Sequence, residues 1–399
     1  MRYGRFTMPD RKPTARTRGT DRKRQLVSHA AELFLRRGYA QVSLADIARS
    51  AGVTAPSLYR HFDDKQALLA AAVMAGVDDL EACTDRAFAG AVQPTVDELV
   101  DAACTLAVAH PGSAALWRWT SNYLTEEQNI QVAQRTRGIL GRWAATLAQS
   151  RPELTERETV QLAWAVLSVC GSLSVHHTRM SDVRARVELG TLVRRLIVLT
   201  PGAAPPLTPP SPVTNVTANR RDEILDAAAA LFADRGYTDV GVDEIGAAVG
   251  ITGPSVYKHF SSKLAILVGI GERSAMRLEA GVIAAFSATS DPAKLLGLLV
   301  DSYVTVITST PDLSVAFNSS GVLAGQPPAA ALLDVQRRYV ARWIDLLVAV
   351  DPDLKRDAAA VAVHAALSIV NDAVRMRRGT ARPEFGARMA YFMKGVLDV

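Results

Sequence analysis

Two short stretches concentrate side chains able to hold a polyanion and to read it. The first is Thr54-Ala55-Pro56-Ser57-Leu58-Tyr59-Arg60-His61-Phe62 followed by Lys65, and the second is Thr252-Gly253-Pro254-Ser255-Val256-Tyr257-Lys258-His259-Phe260 followed by Lys263. An arginine offers a planar fork of donors that matches the guanine edge or a phosphate, and tyrosine hydroxyls, serine hydroxyls and lysine ammoniums suit phosphate oxygens. Singly, exposed Arg and Lys are ordinary surface and such a tyrosine is usually half-packed. The same order occurring twice is what lifts the pattern above that background. Catalysis has no comparable concentration: there is no nucleophile–base pair, glycine-rich phosphate loop or metal-ligand spacing, so the chain reads as a non-enzyme without cofactor or metal. Cys83, Cys104 and Cys170 are odd in number and lack metal-like spacing, which fits a reducing cytoplasm rather than a disulfide framework. His176 and His177 are adjacent and so point in different directions from a helix, which favours solvated residues over a sensor built with Cys170.

Reading side chains need a rigid mount, and the flanking sequence supplies one. Leu26, Ala30, Leu33 and Phe34 fall on one stripe of an amphipathic helix ending at Gly38, and Ile224, Ala228, Leu231 and Phe232 repeat it. Ser43 with Asp46 three residues on reads as a capping box for a short helix whose Leu44, Ile47, Ala48 and Ala51 face inward, with Gly241 and Glu244 as a weaker second version. Gly52 gives a tight turn anchored by Val53, and Thr54 is positioned to cap a helix that tolerates Pro56 in its first turn. Within that helix Leu58 and Phe62 bury one face, which turns Pro56 and Arg60 outward with Ser57 and Tyr59 on the flanks. Helix, glycine turn, helix is a DNA-reading motif. Lys65, after Asp63 and Asp64, sets a cation beside the backbone at the start of the next helix.

The segment Arg22–Leu69 recurs without a gap as Arg220–Leu267, 198 residues on. Identical pairs include Phe34/Phe232, Gly38/Gly236, Tyr39/Tyr237, Gly52/Gly250, Tyr59/Tyr257, His61/His259, Phe62/Phe260 and Lys65/Lys263. Farther along the copies diverge, although Arg142-Trp143 and Arg342-Trp343, then Pro152 and Pro352, keep an offset of 200. Between them Pro201–Ala218 carries six prolines, a composition that favours extended polyproline II over packing, with a reach on the order of 50 Å. In its glycine turn, its Tyr-x-His-Phe helix end and the lysine three residues later, the sequence resembles the TetR family of bacterial regulators, twice. The resemblance implies phosphate contacts for Tyr59, Tyr257, Lys65 and Lys263, and contacts at the helix N-terminus for Thr54 and Thr252. It assigns base reading to Ala55, Ser57 and Arg60 and to Gly253, Ser255 and Lys258, and leaves His61 and His259 to phosphate or to packing. It implies an all-α fold of two tandem TetR-like units, each a three-helix head on a helical ligand-binding and dimerisation body. Family members ordinarily carry one head and pair as homodimers. The fusion therefore suggests a pseudo-dimer within one chain, with a further homodimer as the alternative.

The division that follows is a basic disordered arm over 1–21, a head over 22–69, a body over 70–200, the linker over 201–218, a second head over 219–267 and a second body over 268–399. Helical segments in the first body are Thr95–Ala109, Ala114–Tyr123, Glu126–Gln149, Glu156–Thr178 and Arg184–Leu199, and comparable ones begin at Ala293. By resemblance, Val160–Val175 and Ala358–Ile369 meet in a four-helix interface. Trp117, Trp119, Trp143 and Trp164, with Phe317 and Trp343 in the second body, are candidates to line an apolar effector pocket, against the competing reading of plain core. Because the bodies diverged while the heads did not, any pockets kept in the two should differ in shape, and an apolar small-molecule effector is expected to prefer one copy and release the DNA by shifting the head spacing. Nine basic and two acidic side chains from Met1 to Arg24 give that end +7 in a chain of net +5, so the remainder carries −2. A polyanion partner met at one end is implied. The most membrane-like run, Val160–Val175, is interrupted by Gln161 and falls short of the roughly 20 residues a span needs. It reads as a buried helix, and the N-terminus has no secretory h-region, so neither membrane nor export is expected. The expected function is a cytoplasmic, sequence-specific regulator of transcription, a ligand-responsive repressor on double-stranded DNA with an imperfect palindrome. A non-specific architectural DNA-binding protein and an all-helical apolar-ligand carrier are the rivals, and footprinting separates them.

Overall fold

The computed structural model describes residues 15–39, 41–90, 93–112, 123–174, 180–207, 219–323, 325–376 and 383–399. Trp117, Trp119, His176, His177, most of the segment Ala114–Tyr123, and the outer parts of the arm and linker lie outside them. Among the described residues all regular structure is helical.

The first head comprises α1 (Ala15–Arg37), α2 (Leu44–Ser50), α3 (Ala55–Tyr59) and the start of α4 (Lys65–Phe88). Its core is the expected one: Leu26, Ala30, Leu33, Phe34, Ile47, Leu58 and Phe62 are all buried. Helix α1 begins at Ala15, so residues 15–21, expected in a disordered arm, extend the helix. The Ser43 hydroxyl accepts from the Asp46 amide at 3.1 Å while Asp46 Oδ2 accepts from the Ser43 amide at 3.0 Å, completing the capping box. Gly38 and Gly52 hold φ of +79° and +63°, a region that disfavours any side chain. The expected Thr54 cap does not form. Pro56 has no N–H to give, and the Ser57 amide is already bonded to the Thr54 carbonyl at 2.9 Å, so the hydroxyl finds no donor.

The first body is made of the rest of α4 with α5 (Val96–Ala109), α6 (Glu126–Ser150), α7 (Glu156–Gly171) and α8 (Asp182–Ile197). Thr95/Glu98, Thr125/Gln128 and Thr155/Glu158 close capping boxes on three of these helices. The linker departs from its expected extended form at its start. Pro201–Ala203 make a 3₁₀ turn with Pro201 buried, the Gly202 amide donates to Glu158 Oε1 at 2.7 Å, and Leu207 packs on the body core. Two apolar side chains and a waiting carboxylate outweigh the bias of the prolines.

The second copy repeats the plan with α9 (Arg220–Arg235), α10 (Val242–Ala248), α11 (Gly253–Val256), α12 (Lys263–Ala288), α13 (Pro292–Ser309), α14 (Asp312–Asn318), α15 (Ser320–Leu323), α16 (Ala330–Val350), α17 (Arg356–Met376) and α18 (Pro383–Leu397). Each head has its own core, whereas the two bodies share one. Helices α7 and α8 pack against α17 and α18, as expected for Val160–Val175 and Ala358–Ile369. Ser168 Oγ donates to the buried Asp372 at 2.5 Å, and Arg184 grips both oxygens of Asp357 at 2.6 and 2.7 Å. Among the described residues one helix, α17, is long and apolar enough to cross a membrane, and 72% of its apolar window is buried. It is apolar all round because its own body covers one side and the other copy covers another.

Candidate nucleic-acid interface

In each head the short third helix is fixed from beneath and bare above. Leu58 and Phe62 in and after α3, and Val256 and Phe260 in and after α11, are buried. Tyr59 is 55% exposed and Tyr257 53%, large values for tyrosines on a folded surface. Arg60, Lys258, Thr54, Thr252 and His259 are exposed, while Ser57, Ser255, Ala55, His61, Lys65 and Lys263 are half-buried and Gly253 is buried. The candidate reading residues are thus brought to one face in both copies except Gly253, expected to read bases but buried beneath that face, and Ser255 is partly engaged, its hydroxyl 3.0 Å from the Thr252 hydroxyl.

The two lysines have a second occupation that sequence did not reveal. Lys65 Nζ donates to the Tyr39 carbonyl at 2.9 Å and sits 4.2 Å from the centre of the Tyr39 ring. Lys263 Nζ donates to the Thr238 carbonyl at 3.2 Å, 4.4 Å from the Tyr237 ring. Each ammonium pins the turn between the first two helices to the start of the fourth, keeping two further N–H donors for a phosphate. Burial lowers both lysine pKa values and raises those of Tyr39 and Tyr237. Beneath the helix ends, Lys23 lies over the Phe62 ring, and Arg221 lies over the Phe260 ring while donating to the His259 carbonyl at 2.8 Å. The repeat carried that signal, since a cation stands at both positions.

The heads are tied to their bodies differently. Gln66 Nε2 donates to Gln128 Oε1 at 2.5 Å, and the Tyr39 and Tyr123 rings are 4.5 Å apart. In the second copy Arg273 of α12 bonds the buried Asp312 at 2.7 and 2.9 Å and Asp226 of α9 at 2.8 Å, and Arg277 reaches Asp312 at 2.6 Å.

The candidate pocket residues do not converge on one place. Trp143 is buried, donates to Thr84 Oγ1 at 3.1 Å and borders a void of about 10 Å³ with Leu99, Val100 and Val166. Trp164 stands at the seam between copies, its N–H 3.1 Å from Met376 Sδ. Trp343, with no exposed surface, packs at 5.9 Å from both Tyr303 and Tyr339, and Phe317 borders the same core. The indole N–H of Trp343 and the Tyr339 hydroxyl are buried and, among the described residues, engaged at most with each other, whereas the Tyr303 hydroxyl donates to Asn371 at 2.8 Å. Cys83, Cys104 and Cys170, far apart in sequence, are all buried in the first body, where a hydrogen bond with Cys104 and burial push the Cys170 thiol up.

The sequence profile described as "Bacterial regulatory proteins, tetR family" matches residues 26–72 and 224–270, the two heads. The chain is 29% identical over 165 residues to the HTH-type transcriptional activator FasR of Mycolicibacterium smegmatis, spanning 41% of this chain and 74% of that one. It is 47% identical over 55 residues to the HTH-type transcriptional repressor KstR2 of Rhodococcus jostii, 14% of this chain and 27% of that one. Among solved structures, the ketosteroid transcriptional regulator KstR2 of Mycobacterium tuberculosis aligns with a TM-score of 0.41 at 25% identity, over 47% of this chain and 97% of its own. With two matched heads and two exposed third helices, the chain is a DNA-binding regulator of transcription that carries two heads of the tetR family.

Proposed function

We propose that one chain acts as a pseudo-dimer in the cytoplasm, its two heads reading the two halves of an imperfectly palindromic operator, and that it represses transcription until an apolar small molecule binds one body. The observation that carries this reading is the packing of α7 and α8 against α17 and α18 inside a single polypeptide, which supports pairing the heads without a second chain. Two heads on adjacent major grooves sit about one helical turn, roughly 34 to 36 Å, apart. Their recognition helices differ as Ala55/Gly253, Leu58/Val256 and Arg60/Lys258, and arginine and lysine do not read guanine equivalently. The half read by Arg60 is therefore the more discriminating. Sedimentation on a short operator duplex tests the arrangement: one chain per duplex at saturation is expected, and an obligate two-chain complex on one palindrome overturns it.

We place the effector in the second body, where the Trp343 N–H and the Tyr339 hydroxyl are engaged at most with each other, two polar atoms among aromatic walls that a ligand acceptor would engage. Apolar carbonyl compounds that raise the melting temperature of the chain but not of its Trp343→Phe variant, and that release DNA, are the expected result. Equal, independent binding at both bodies would contradict it.

A further inference from the structure

The two heads differ at one corner in a way the reading residues alone do not disclose. In the second head Gly253 opens the recognition helix α11, and a Cβ there would lie 1.7 Å from Asp243 Oδ1 and 2.9 Å from its Cγ. The Asp243 carboxylate thus occupies the space in which the first head carries the Ala55 methyl. Its own counterpart in the first head is Ala45. Volume has moved from one partner to the other, from Ala45 with Ala55 to Asp243 with Gly253. A second glycine deepens the difference: a Cβ on Gly246 would meet the Ile251 carbonyl at 2.8 Å and the Gly253 nitrogen at 3.1 Å, whereas the first head accommodates the buried Ala48 at that position. The corner between α10 and its turn therefore has no room for the methyl that α2 carries at Ala48.

Asp243 is exposed, and no hydrogen bond or ion pair engages it among the described residues. Its neighbours on the same rim are Thr252 and Ser255, at the end of the recognition helix whose first residues approach base edges in helix-turn-helix proteins. A carboxylate there is acceptor-only, and the major-groove group it suits is the N4 amino group of cytosine. An alanine in its place reads nothing beyond a methyl.

We propose that Asp243, admitted by Gly253, is a specificity-determining residue of the second head, accepting a hydrogen bond from a cytosine amino group and so making the two half-sites differ at a position that Arg60 and Lys258 do not set. This rests on each head reading one half-site. The test uses the full chain, its Asp243→Asn variant and its Gly253→Ala variant, each selecting bound duplexes from pools randomised in one half-site at a time. Asparagine keeps the shape but adds donors and suits adenine. The expected result is a cytosine preference in one column of the second half-site that falls roughly tenfold in Asp243→Asn and moves toward adenine, with the first half-site unchanged. In Gly253→Ala the new methyl displaces the carboxylate, so the same preference falls with the melting temperature nearly retained. Unchanged columns in both variants, or affinity rising equally for every sequence because the carboxylate merely repelled phosphate, would overturn the assignment while leaving half-site reading intact. Failure of the wild-type chain to select any sequence would instead overturn the reading of the heads and this assignment with it.

Discussion

Arg60 and Lys65 lie five residues apart yet should fail in distinguishable ways. Arg60 is exposed with its guanidinium free to read, so Arg60→Ala should relax base preference in one half-site as well as weaken binding. Lys65→Ala should weaken binding to all sequences and lower the salt slope by about one. Because its ammonium also holds the Tyr39 carbonyl and ring, the same change should cost about 1 to 2 kcal/mol of head stability in urea titrations. An unchanged slope with the stability loss alone would leave Lys65 a purely internal clamp. Asp46 gives a pH signature. Hydrogen bonds from the Ser43 hydroxyl and amide, with Arg49 adding to them, bring its pKa from 3.8 down to about 2. A depressed folded-state value means the stabilisation is present above pH 4 and lost as pH falls toward 2. Melting curves of Asp46→Asn should therefore fall less steeply than wild type across that interval. The outward residues were legible because Leu58 and Phe62 fix which face is inside. Asp243 was not, because its meaning depends on Gly253 ten residues away and appears only when the two heads are compared in space.

Among the elements, α12 is the strut that joins the second head to its body. Arg273 links Asp226 in the head to Asp312 beneath it, and Asp312 is 1% exposed between two guanidiniums. Removing the anion leaves Arg273, 12% exposed, with only the solvent-facing Asp226, so Asp312→Ala should destabilise the second copy by about 3 kcal/mol in denaturant unfolding. A loss below 1 kcal/mol would show that water or rearrangement replaces the pair. The first copy has Ala75 and Ser28 where the second has Arg273 and Asp226, so the repeat that exposed the heads concealed this network. Helices with a long apolar stripe, such as those carrying Leu26 or Leu162, were readable from period alone. The break between α14 and α15, the packed start of the linker and the helical Ala15–Asp21 were not, since each is decided by tertiary contacts or chain continuity rather than by local pattern.

At the scale of the whole molecule, the bodies bury their shared core within one polypeptide, sealed at its edges by Arg184–Asp357 and by Arg195 with Asp398. Pairing that is intramolecular does not follow mass action in chain concentration. The melting temperature should hold steady across a hundredfold dilution, whereas a midpoint that climbs with concentration would reveal a dimer of chains. The same covalent seam has a genetic consequence. A regulator assembled from separate subunits shuffles mutant and normal partners, so a defective allele poisons complexes made with a healthy one. In the proposed pseudo-dimer both heads are translated together, so an altered head is coupled to its own chain alone, and a damaged copy of the gene should behave as recessive wherever an intact copy is also expressed.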